Sequence, residues 1–146
     1  MADRAADYVA VYGSLRRGQA AETKMQRMEF VGQGAINASL YALGWYPGVK
    51  LGEGVTIVDV FKLPEDEHLR EAILFDLDNY EGYSPRHPEN SLFVRRVVNL
   101  SVPVLPFTRE SKHPPVYVYE YNYPVNRAPL VKSGDWNEYN PPASVV

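Results

Sequence analysis

The sequence predicts a single α+β domain in which strands outnumber helices, and three observations predict it. Tyrosine and proline are frequent, with 11 and 12 residues, a composition that favours strands and ordered loops over long helices. Two segments carry strand chemistry: residues 55–61 are dense in β-branched side chains, and residues 116–121 alternate valine or glutamate against tyrosine. One segment, read as a helix over residues 67–75, has Leu69, Ile73, Leu74 and Leu77 near helical spacing behind the acidic start Glu65-Asp66-Glu67.

In chain order, Tyr8 to Val11 reads as a first strand that breaks into the loop Tyr12-Gly13-Ser14-Leu15-Arg16-Arg17-Gly18. Residues 20–30 read as a packing helix, with Met25 and Met28 as core filler. Residues 35–43 alternate imperfectly and read as a strand. Gly44-Trp45-Tyr46-Pro47-Gly48 is an aromatic turn that either seals a core end or walls a pocket. Residues 49–51 are short and apolar, Gly52-Glu53-Gly54 turns the chain, and the 55–61 strand follows. After the helix, residues 84–90 are a loop and residues 92–100 a strand. Its adjacent Arg95 and Arg96 point to opposite faces. Residues 103–115 read as irregular, and residues 137–146 as loose. No repeat or linker divides the chain, so residues 1–146 are expected to form one domain.

Composition excludes several classes of function. The net charge is −3, which argues against a nucleic-acid binder with a basic surface. No cysteine is present, which removes disulfides, thiolate nucleophiles and Cys-ligated zinc. The N-terminus lacks the apolar core of a signal peptide, and no apolar run is long enough to span a bilayer, so a soluble cytoplasmic protein is expected. Oligomeric state is not specified.

The loop after the first strand is the first candidate for chemistry. Gly13 and Gly18 permit close approach of a ligand to the main chain, and a strand that ends this way gathers free N–H groups at one point. The same residues also fit a plain turn with solvated arginines. Tyr-Gly-Ser-Leu is not a Gly-x-Ser-x-Gly elbow, and His68, His87 and His113 are scattered, so neither a serine triad nor a metal site is expected. Phosphate-loop and dinucleotide fingerprints are missing as well. Glu81, flanked by Tyr80, Gly82 and Tyr83, is the second candidate. A carboxyl held among rings has its charged form disfavoured and can exchange protons near neutrality. On spacing alone, Asp78 to Glu81 also fits a capping box that opens another helical turn.

Read together, Tyr12-Gly13-Ser14-Leu15 and Leu77-Asp78-Asn79-Tyr80-Glu81-Gly82-Tyr83 resemble the γ-glutamylcyclotransferase-like (AIG2-like) family. Phe93-Val94-Arg95, the strand bearing Tyr117 and Tyr119, and Ser133-Gly134-Asp135-Trp136 extend the resemblance to nearly the whole chain. One departure stands out: Val58-Asp59-Val60-Phe61 occupies the place of the family's usual Gly-Glu-Val-Tyr/Phe. The resemblance implies a small mixed β-barrel with flanking helices. It also implies a small-molecule γ-glutamyl substrate, cyclised to 5-oxoproline without a cofactor, with Glu81 as general base and acid. Tyr12, Gly13, Ser14, Leu15, Arg95 and Tyr119 would contact the substrate, although an ion pair with Asp78 explains Arg95 equally well. The Trp45-Tyr46 loop and residues 103–115 would select the leaving group. A non-catalytic small-molecule binding module on the same fold is the alternative.

Overall fold

A computed structural model describes residues 5–102 and 113–140. It contains five strands: β1 (Tyr8–Val11), β2 (Glu29–Ala42), β3 (Pro47–Lys62), β4 (Phe93–Asn99) and β5 (Pro115–Tyr121). A helix α1 (Glu67–Glu81) joins β3 to β4, and a short helix α2 (Trp136–Tyr139) follows β5. The strands form one sheet in the order β2-β3-β1-β5-β4. Among the described strands the β1–β5 pair is parallel, and β1–β3, β2–β3 and β4–β5 are antiparallel.

The expected α+β class is observed, but the barrel is not closed. β2 and β4 are the two edges of an open sheet. Among the described residues they approach beyond the end of β4, where Ala35 bridges Val102 and the Ser101 N–H donates to the Ala35 carbonyl at 2.8 Å.

Alternation within the short central strands feeds two cores. Ala10, Val116 and Val118 face one core together with Ile36, Leu40, Val58 and the buried indole of Trp136. Val9, Val11, Tyr117 and Tyr119 face the other, where α1 contributes Ile73 and Leu77. The tyrosine face of β5 is thus the face that α1 covers.

Three expectations are corrected. Residues 20–30 are not a helix: only Glu22–Met25 make a 3-10 turn, and β2 begins at Glu29. Glu29 and Phe30 instead pair with Lys62 and Phe61, the two phenylalanine rings meeting edge-on at 5.4 Å. Met25 and Met28 are buried in the core as expected. Gly52-Glu53-Gly54 does not reverse the chain. β3 runs through it, and residues 52–55 bulge opposite Asn37, between the pairs Ile36–Thr56 and Ala38–Leu51. Gly52 and Gly54 take left-handed φ values of 126° and 97° there. The α1 helix extends six residues past the expected Phe75, to Glu81. No helix among the described residues is long and apolar enough to cross a membrane. Residues 103–112 and 141–146, which include most of the expected irregular segment and the end of the expected loose tail, lie outside the described residues.

Candidate active site

The loop after β1 uses carbonyls of its first residues internally and leaves the amides of those residues free. The Arg16 N–H donates to the Gly13 carbonyl, and the Ala21 N–H to the Ser14 carbonyl, both at 2.9 Å. The N–H groups of Gly13, Ser14 and Leu15 donate to no described residue. Gly13 is small for a steric reason: a Cβ there would lie 2.7 Å from Pro47 Cγ. Gly18 has the conformational reason, with φ of 85°.

Of the two arginines of this loop, Arg17 is exposed and Arg16 is not solvated. Arg16 is 1% exposed, and its guanidinium reaches Asp59 at 3.3 Å and Asp135 at 2.7 Å. Asp59 also accepts the Arg17 N–H at 2.8 Å. Arg17 lays its guanidinium over the Phe30 ring, 4.3 Å from the centroid. Asp59, the departure noted in the sequence, therefore fastens the loop from β3, and Asp135 fastens it from the cap of α2. Neither role was read from the sequence. The available signal was an acid in the middle of an apolar strand, where an unpaired charge would be costly.

The other wall is the end of α1. Asp66 caps the start of the helix by accepting the Leu69 N–H at 2.9 Å. Gly82 ends it in the left-handed conformation at φ 71°. Asp78 and Glu81 are thus the last two acids of one helix, which overturns the capping-box reading. Asp78 is buried and accepts from Arg95 at 3.0 Å and from the Tyr119 hydroxyl at 2.7 Å. Burial raises its pKa, while the Tyr119 and Arg95 hydrogen bonds and the Arg95 charge pull it back. The Glu81 carboxyl makes no hydrogen bond or ion pair with any described residue. It is half-buried because it opens on a cavity, and desolvation pushes its pKa up to about 8. A carboxylate at the C-terminal end of a helix is also poorly placed against the macrodipole. Among the described residues no hydrogen bond or ion pair is held by its charge.

Tyr12, Gly13, Ser14, Leu15, Tyr119 and Glu81 all line one cavity of about 320 Å³. The Tyr12 hydroxyl donates to the Tyr119 carbonyl at 2.6 Å, and Ser14 Oγ lies 2.9 Å from the Tyr80 hydroxyl. Burial raises the pKa of Tyr12 and of Tyr119, and the nearby Glu81 charge adds to both shifts. Both phenols therefore stay neutral. Arg95 is not part of the lining: its charge is spent on Asp78, at the back of Tyr119. Tyr80, Pro47, Leu92 and Phe93 line the cavity without having been singled out as site residues.

Residues 9–138 match the family described as gamma-glutamyl cyclotransferase, AIG2-like. The chain belongs to this family. The chain is 29% identical over 129 residues to the gamma-glutamylcyclotransferase family protein YtfP of Escherichia coli K12, covering 88% of this chain and 94% of that protein. The solution structure of E. coli ytfP superposes with a TM-score of 0.60 at 26% identity, covering 90% of this chain and 97% of that one. An AIG2-like protein from Mus musculus has the same fold, with a TM-score of 0.61 at 16% identity over 87% of this chain and 86% of that one. Within a gamma-glutamylcyclotransferase family member, a cavity that joins a free carboxyl to free amides is the natural candidate for the active site.

Proposed function

We propose that this chain cyclises the γ-glutamyl group of a γ-glutamylamine or γ-glutamyl peptide, releasing 5-oxoproline and the free amine. The α-amino nitrogen of the substrate attacks its own γ-carbonyl carbon. A C–N bond forms to close the lactam, and the bond from that carbon to the leaving nitrogen breaks. One proton passes from the attacking nitrogen to the leaving one. The nucleophile belongs to the substrate, so the protein has only to fold the substrate, carry that proton and steady the oxyanion.

Glu81 is the proton carrier in this reading. Its pKa of about 8 matches that of a free α-amine, about 8, so transfer in either direction is close to thermoneutral. The amides of Gly13, Ser14 and Leu15 take the oxyanion or the substrate carboxylate. A well-aimed donor of this kind is worth about 3 kcal/mol in the transition state. Tyr12 and Tyr119 wall the glutamyl end. One observation carries the reading: the unpaired carboxyl of Glu81 and the unpaired amides of the Gly13 loop line the same cavity.

The test is release of 5-oxoproline from γ-glutamyl amides by the purified chain. Wild type is expected to turn over, and Glu81→Gln to lose about 10²–10⁴-fold in kcat. Equal rates for the two proteins would overturn the proposal. Substrate binding without turnover by wild type would make the chain a binding module.

A further inference from the structure

The cavity has one wall that the proton-transfer chemistry does not use. That wall is apolar: Trp45, Tyr46, Pro47, Leu92 and Phe93; it adjoins both sides of the site, Pro47 lying against Gly13 and the Leu92 N–H donating to the Gly82 carbonyl at 3.0 Å. The Trp45 and Tyr46 rings meet edge-on at 5.0 Å, and Tyr46 leans on Phe93 at 6.3 Å. Trp45 is 79% exposed and Leu92 40% exposed, although both border the cavity. No lysine or arginine lines the cavity among the described residues.

Resting on the cyclisation reading, we infer that this wall is a leaving-group subsite for an arylalkylamine. The glutamyl head has to lie between Glu81 and the amides of the Gly13 loop. The departing nitrogen then points along the remaining wall, where aromatic and aliphatic surfaces wait partly in water. An aryl ring seated there would cover Trp45 and Leu92 and stack against an existing edge-on pair, the arrangement aromatic rings favour. A leaving amino acid would instead carry a carboxylate beside the scissile nitrogen. That would bring a second anion towards Glu81 and against an apolar surface, with desolvation unrecovered. Trp45 and Leu92 are thus specificity-determining residues, and Glu81 and the Gly13 loop are indifferent to what departs.

The experiment measures 5-oxoproline from γ-glutamyl benzylamide, γ-glutamyl methylamide and γ-glutamylglycine. The expected order of kcat/KM is benzylamide above methylamide by about tenfold or more, with γ-glutamylglycine last. Trp45→Ala is expected to lower the benzylamide-to-methylamide ratio by about tenfold. Leu92→Ser is a second, independent variant and should lower the ratio in the same direction. Turnover of all three compounds at similar kcat/KM, or a ratio that neither variant moves, would overturn the subsite while leaving the cyclisation reading intact. Absence of 5-oxoproline from every compound would refute the cyclisation reading, and the subsite with it.

Discussion

Asp78 and Glu81 stand one helical turn apart near the end of α1, and only the first is bonded. Asp78 accepts from Arg95 and Tyr119, while Glu81 accepts from no described residue. Two carboxyls in such different surroundings have different tasks. One fixes the helix end against β4 and β5, and the other is left free to exchange its proton.

The first expectation concerns pH. Glu81 is raised from 4.5 to about 8 by desolvation. Base catalysis requires the ionised form, so kcat/KM rises with pH and levels off above about 8. Stability moves the other way. The folded state holds this proton more tightly than the unfolded chain, so the contribution of neutral Glu81 is fully present below pH 4.5 and is lost as pH rises through about 8. Glu81→Gln should remove that loss and stabilise the protein at pH 9 by on the order of 2 kcal/mol, with no gain at pH 4.5. Thermal unfolding at the two pH values checks it.

Asp78→Ala leaves the Arg95 charge and the Tyr119 hydroxyl without their partner. We expect a destabilisation of about 3 kcal/mol. Asp78→Asn keeps an acceptor for the Tyr119 hydroxyl and should cost about 1–2 kcal/mol. Urea denaturation separates the two. Both variants should lose kcat as well, because the helix end that carries Glu81 is no longer held.

Asp59→Ala removes one of two anions from a guanidinium that is 1% exposed. The expected cost is about 3–5 kcal/mol. Arg16→Lys should not restore the site, since one ammonium cannot fork to Asp59 and Asp135 as the guanidinium does. A double-mutant cycle between positions 16 and 59 should show coupling above about 1 kcal/mol.

Gly13→Ala places a Cβ 2.7 Å from Pro47 Cγ and 2.9 Å from Cδ. The backbone angles suit alanine, so the penalty is steric only, about 1–3 kcal/mol. Pro47→Ala removes both clashing atoms. The double variant Gly13→Ala, Pro47→Ala is therefore expected to recover much of the Tm lost in the single one.

Much of this arrangement was legible in the sequence, for physical reasons that differ by element. The strand at residues 116–121 was plain because valine and tyrosine face different cores, which is what strict alternation records. The 3.6-residue signal of α1 faded after Phe75, since its last turns bury Asp78 beside Leu77 and expose Phe75 and Tyr80. The segment at residues 20–30 misled because its methionines do enter the core, but from a 3-10 turn and the first residues before a strand. Glu81 and the Gly13 loop, which line one cavity, stand out in the sequence because both carry short motifs. The contacts from Arg16 to Asp59 and Asp135 span 43 and 119 residues of chain, and no local pattern reports such pairs.

Asp135 both caps α2 and grips Arg16, while Gln19 reaches Asn137 at 2.7 Å and the Asn140 carbonyl at 3.0 Å. The final helical turn is therefore a clasp on the opposite end of the polypeptide. A protease that nicks the connector between β5 and Asp135 would release the clasp before the sheet melts. Catalysis would then fade while the circular dichroism of the strands persists, and amide exchange at residues 16–19 would quicken in step with that at residues 136–140.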